Sequence, residues 1–258
     1  MSLLYKEYGI KSADLIVFIH GGGVSGWMWD KQVEYFKNQY HCIVPDLPGH
    51  GLNRNINIFS IEDSAMDLIR IIEEKATGKK VILVGFSLGS QVIIQMLSIK
   101  SNLVDFAIIN SALVRPMTYA KPIMKPTMNL FFPLIKNRSF SKLQAKTLFV
   151  SEDYFDKYYE ETCQMKLETL VGVMRENMSF TIPKEFSQAS TKILVTVGEK
   201  ERTVMKKSVE DIIASNPNVE GILISQIGHG VPLAMPEFFN QLIDKWIKEG
   251  KVLEECNG

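Results

Sequence analysis

Residues 81–97 read VILVGFSLGSQVIIQML. A run of apolar, β-branched residues ends in Gly85-Phe86-Ser87-Leu88-Gly89, and an apolar pattern with helical spacing begins at once. This junction constrains the fold more than any other feature of the chain. It dictates a buried strand turning sharply into a helix, with a serine held in the turn and glycine on either side where neighbouring backbone crowds in. In such a turn the Ser87 hydroxyl stands above the edge of the sheet. Leu88 opens the helix, so its N–H is free to donate to a developing oxyanion.

The same strand–helix unit recurs along the chain. LIVFIH at 15–20 and YHCIVPD at 40–46 read as strands that end in glycine- and proline-rich turns. Ser60, with Asp63 three positions on, caps a helix whose buried face is Ile61, Ala65, Leu68, Ile69 and Ile72. After the Ser87 unit come strands at 104–112, 191–198 and 219–228, and helices at 204–216 and 236–250. Short runs rich in Ile and Val, separated by helical patterns, predict an α/β fold with a mostly parallel, doubly wound sheet. The alternation fails between Ala112 and Ser190, where Pro116, Pro122, Pro126 and Pro133 and the Met/Phe cluster PIMKPTMNLFFPLI occur. A stretch that long inside a compact domain is expected to carry structure of its own. We read it as a helical lid at 113–189, inserted into a core formed by 1–112 and 190–258.

Composition narrows the chemistry. The 258 residues are 46% hydrophobic, enough for one large core, and 29 Lys and Arg balance 29 Asp and Glu. That balance lacks the basic excess expected of a nucleic-acid-binding protein. Cys42, Cys163 and Cys256 are odd in number and far apart, without the spacing of a metal site or a disulfide framework. The N-terminus has no signal-peptide pattern, and no apolar run reaches the ~18 residues of a membrane span, so the expected location is cytoplasmic. The expectation is a small-molecule substrate, with no cofactor, metal, nucleic acid or membrane span; oligomeric state is not legible.

A serine hydroxyl needs a base, and the chain has four histidines. His229 lies in GHGVP between the last predicted strand and the last predicted helix, where it can reach the sheet edge that carries Ser87. His41 opens a strand, His50 sits in the turn DLPGHG with Asp46, and His20 borders the glycine run, so each is assigned a bracing role. The base in turn needs a carboxylate to orient it. VGEKE offers Glu201, just before the next helix, and Glu199, in the turn itself; Glu201 is favoured. The glycines of HGGG let backbone approach a substrate oxygen, with Gly22 N–H the first candidate for a second oxyanion donor and Gly23 the next. This run lacks the spacing of a dinucleotide or phosphate-binding loop. Trp27 and Trp29 are read as packing residues.

With HGGGVSGWMW, PDLPGHG, GFSLGS, VGEKE and GHGVPLAMPEFF in this order, the chain resembles the α/β-hydrolase fold superfamily, specifically its small soluble members with a helical cap. The resemblance runs from the first predicted strand through the last helix and implies that the cap is inserted after the sixth strand. It implies Ser87 as nucleophile, His229 as base, Glu201 as the acid, and Gly22 and Leu88 as oxyanion donors. The acid position in these relatives more often holds Asp, so Glu201 must reach one methylene further. A carboxylesterase acting on an apolar acyl or aryl ester is the leading expectation. Carbon–carbon bond hydrolysis, thioester or peptide-like hydrolysis, and a non-catalytic small-molecule receptor are the alternatives on the same framework.

Overall fold

The computed structural model describes residues 3–117 and 121–251. The chain begins with β1 (Tyr5–Gly9) and β2 (Leu15–Ile19), followed by α1 (Asp30–Phe36), β3 (His41–Pro45), α2 (Ile61–Lys75), β4 (Val81–Phe86), α3 (Leu88–Ile99) and β5 (Phe106–Asn110). Four helices come next: α4 (Lys121–Phe131), α5 (Arg138–Thr147), α6 (Glu152–Gln164) and α7 (Leu167–Ser179). The remainder is β6 (Lys192–Gly198), α8 (Thr203–Ser215), β7 (Val219–Ile224), α9 (Val231–Ala234) and α10 (Pro236–Glu249).

The strands form one seven-stranded sheet in the order β1-β3-β2-β4-β5-β6-β7. All neighbours are parallel except β1 and β3. Strands β2, β3 and β4 are buried along their whole length, as continuous runs of Ile, Val and Leu require when helices cover both faces. One apolar layer joins Leu15, Val17 and Leu83 to Leu68 and Ile72 of α2 and Val92 of α3. The opposite layer joins Ile16, Phe18 and Val84 to Trp29, Phe36, Phe239 and Trp246. Asp63 N–H donates to Ser60 Oγ at 3.1 Å, the capping contact that the sequence predicts for α2.

Two features differ from the sequence reading. Strand β1 has no counterpart there: YKEYG is a short, half-exposed segment with no apolar run, and it becomes a strand only through pairing with β3. In addition, α4–α7 follow the fifth strand of the chain rather than the sixth, because β1 alone precedes β2. The proline-rich stretch is helical despite its breakers. Pro126 lies inside α4, where it removes one main-chain donor.

Candidate active site

The Ser87 turn is a single left-handed residue. Ser87 has φ 53° and ψ −111° between the end of β4 and the first turn of α3, a backbone region costly for a side chain. The turn closes only because its flanks are glycine. A Cβ on Gly89 would meet the carbonyl oxygens of Ile19 and His20, and one on Gly85 would lie 2.7 Å from Ile93 Cδ1 and 2.9 Å from the Gly89 carbonyl. Ser87 N–H donates to the Asn110 carbonyl at 2.8 Å, and Ser90 Oγ donates to the same carbonyl at 2.8 Å, fastening the elbow to β5.

His229 and Glu201 arrive from the neighbouring strand ends. Glycine at 198 lets the β7–α9 loop close over β6, since a Cβ there would sit 2.5 Å from the Ile227 carbonyl and 2.6 Å from that of Gly228. His229 Nδ1 then donates to Glu201 Oε2 at 2.8 Å. The other oxygen of Glu201 accepts from Ser111 Oγ at 2.7 Å and Gly198 N–H at 3.0 Å. Burial works to raise the Glu201 pKa, but His229, Ser111 and the Gly198 amide outweigh it and hold the carboxyl below its ordinary range. The His229 ring packs on Phe86, the residue before Ser87, at 4.8 Å between centroids. Among the described residues, no hydrogen bond joins the Ser87 hydroxyl to His229. Glu199 is exposed and accepts instead from Gln226 N–H at 2.9 Å.

The glycine loop approaches from the other side. A Cβ on Gly22 would lie 3.7 Å from Leu88 Cδ2 and 3.5 Å from Val173 Cγ1, which brings β2, α3 and α7 together at one point. Gly23 N–H donates to His50 Nε2 at 3.2 Å, so this donor is already engaged. His50 Nδ1 donates to the Pro48 carbonyl at 3.0 Å. Burial first, and the neighbouring His20 second, push the His50 pKa down to about 3, so its ring is neutral in the fold. His20 is braced in the same manner, with Nδ1 to the Gly21 carbonyl at 2.7 Å and Nε2 accepting from Leu47 N–H at 2.9 Å. Asp46 accepts from Gly26 N–H at 2.7 Å and Leu52 N–H at 2.8 Å, tying the two loops together. His41 is distant from this group and pairs with Glu7 at 2.7 Å on the β1 edge.

Several contributors are not legible in the sequence. Ser111, itself at φ 57°, supports the carboxylate after β5; a lone serine after a strand gives no signal of this. Glu161 of α6 accepts from Ser25 Oγ and Trp27 Nε1, both at 2.9 Å. Gln91 of α3 donates to the Asn177 carbonyl at 2.9 Å and accepts from Asn177 Nδ2 at 3.1 Å. The inserted helices are thus tied to the glycine loop and to the elbow helix. Trp27 stacks on Tyr154 at 5.3 Å, while Trp29 is wholly buried beside Phe18 and Phe239. Cys42 is buried and its thiol is pushed up to about 12 by that burial, whereas Cys256 lies outside the described residues. Among the described residues there is no cluster of His, Cys, Asp and Glu able to hold a metal ion, and no helix long and apolar enough to cross a membrane.

A doubly wound sheet with a strained serine at a strand–helix elbow, and a carboxylate-bound histidine at the same edge, defines an α/β-hydrolase architecture. Residues 16–242 match the model of the alpha/beta hydrolase family, and the chain belongs to that family. It is 23% identical to an uncharacterized hydrolase, YugF, of Bacillus subtilis over 96% of this chain and 95% of that protein. A segment of 92 residues is 32% identical to an AB hydrolase superfamily protein of Gibberella zeae, covering 35% of this chain and 32% of that protein. Among solved structures, a thermophilic esterase from Thermogutta terrifontis superposes with a TM-score of 0.76 at 20% identity, over 96% of this chain and 93% of that one.

Proposed function

We propose that this protein is a serine hydrolase, acting as a carboxylesterase on small to medium apolar acyl or aryl esters. The observation that carries the reading is the His229–Glu201 hydrogen bond, 2.8 Å long and anchored by Ser111 and Gly198, at the sheet edge where Ser87 occupies a strained elbow. In this reading Ser87 Oγ attacks the ester carbon while His229 Nε2 takes its proton. Glu201 fixes the tautomer with the proton on Nδ1 and stabilises the imidazolium. Gly22 N–H and Leu88 N–H receive the oxyanion. Collapse of the tetrahedral intermediate expels the alcohol, which takes the proton from His229, and water then repeats the sequence to release the acid. The segment 113–189 serves as a cap over a core of 1–112 and 190–258, and its apolar side chains shape the substrate site.

The test is hydrolysis of p-nitrophenyl esters from acetate to laurate by the wild type and Ser87→Ala, with labelling by a serine-directed fluorophosphonate. The expected result is a labelled, active wild type and an unlabelled Ser87→Ala variant slowed on the order of 10⁴-fold or more. A wild type that neither labels nor exceeds the alanine variant overturns the reading. Equal turnover across the whole series overturns only the apolar preference.

A further inference from the structure

The inserted helices carry a surface feature that the hydrolase reading does not use. Between Asp105 and Glu152 the chain has no acidic residue, yet it has seven Lys and Arg, in a protein whose total charges cancel. Five of the fifteen large apolar side chains exposed among the described residues fall within residues 130–149, less than a tenth of the chain. They are Leu130, Phe131, Leu134, Leu143 and Phe149, with Leu130 72% exposed and Leu143 62% exposed. The first four belong to α4, α5 and the turn between them, while Phe149 follows α5 and lies beside Gly230. Lys125, Lys136 and Lys146 are exposed among them and have no carboxylate partner among the described residues. Arg138 and Lys142 do have partners, in Asp156 and Glu152 of α6.

We infer that the face formed by α4, α5 and the 3₁₀ turn between them (Phe132–Lys136) docks on an anionic lipid surface. Exposed leucine and phenylalanine interleaved with lysine are the means by which peripheral helices enter the boundary between headgroups and acyl chains, while the cations stay at the headgroups. A protein partner is the weaker fit. Protein interfaces are enriched in Arg and depleted of Lys, whereas residues 125–149 hold four Lys to one Arg, with neither Tyr nor Trp. No helix among the described residues can span a membrane, so the attachment is peripheral and salt-sensitive. Of these docking helices, α4 packs against α7, whose Val173 lies beside Gly22, so docking bears on a helix that borders the candidate site.

Sedimentation with vesicles tests this on the full chain. Wild type is expected to pellet with vesicles of phosphatidylcholine containing roughly one-third phosphatidylglycerol, at least about fivefold more than with pure phosphatidylcholine, and to be released by about 0.5 M salt. Leu130→Ser/Leu143→Ser and Lys125→Gln/Lys136→Gln/Lys146→Gln should each lose about fivefold or more of the binding while melting cooperatively, because the substituted side chains are exposed. Ser87→Ala should pellet like wild type, so failure of the hydrolase reading leaves this test intact. Equal binding to neutral vesicles, or no binding to either, overturns the proposal. So does binding that survives the leucine substitutions and is matched by poly-L-glutamate, which would mark a site for acidic protein. A dimer in light scattering that the leucine substitutions split, without vesicle binding, would assign the face to a second copy of the chain.

Discussion

Glu201 Oε2 receives the Nδ1 proton of His229 at 2.8 Å, while Oε1 is held at 2.7 Å by Ser111 and at 3.0 Å by Gly198. Both carboxylate oxygens are therefore engaged, and Nε2 is the ring nitrogen that the proposed mechanism uses as base. Glu201→Gln places an amide where Nδ1 requires an acceptor and favours the tautomer with the proton on Nε2. Ester turnover should fall about 10³- to 10⁴-fold at neutral pH, with fluorophosphonate labelling of Ser87 slowed in parallel. A loss below tenfold would mean that another carboxylate orients His229.

Two carboxylates at this end of the molecule should give opposite pH signatures. Burial alone would raise the Glu201 pKa, but its donors lower it. Its contribution to stability is thus complete above the unfolded value near 4.3 and is lost as pH falls through the folded one. Glu161 is raised, chiefly by burial, against the opposing hydrogen bonds of Trp27 and Ser25. Its contribution is complete below the unfolded value and is lost as pH rises through the folded one. Denaturant titrations from about pH 3 to 7 should therefore show wild type gaining on Glu201→Gln as pH rises to about 5, and losing ground to Glu161→Gln as pH rises above about 4. Two curves that move in the same direction would contradict the assignment.

Glycine content separates backbone necessity from habit. Gly89 faces the carbonyls of Ile19 and His20 so closely that a methyl group cannot fit, and the obstacle is main chain that cannot rotate away. Gly89→Ala should destabilise by about 3 kcal/mol or more and displace the elbow. Gly172 lies inside α7, and a methyl group added there would have nothing within 4 Å. Gly172→Ala should stabilise by about 0.5–1 kcal/mol. Thermal melts of the two variants decide both points.

These contrasts also show what is legible before folding. Strands buried on both faces stand out as apolar runs, and the Ser87 elbow as glycine pressed between a strand and a helix, because those constraints are local. Strand β1 is invisible because YKEYG has no apolar run of its own and depends on pairing with β3. Glu201 and His229 can be nominated from their positions after strands, yet Ser111 and Glu161 cannot. Ser111 meets Glu201 from 90 positions away in the chain and Glu161 meets Ser25 from 136, and a single serine or glutamate carries no periodic signal of such a meeting. The four inserted helices can be anticipated as a helical block, but Pro126 hides α4 within it.

His50 makes the glycine loop acid-sensitive. Its Nδ1 donates to the Pro48 carbonyl and its Nε2 accepts from Gly23 N–H, so a second ring proton would point at another donor. Burial and the adjacent His20 bring its pKa down to about 3, against about 6.5 in an unfolded chain. Between those values the unfolded chain binds the proton and the folded one does not. The stabilising effect of the neutral ring is complete above about pH 6.5 and is lost as pH falls towards the folded value. The stability advantage of wild type over His50→Asn should shrink by about 1.4 kcal/mol for each pH unit well below 6.5. Urea titrations at pH 7, 6, 5 and 4 measure that slope directly. Profiles that run parallel over the whole range would show that His50 is already protonated in the fold and that Gly23 is held by some other contact.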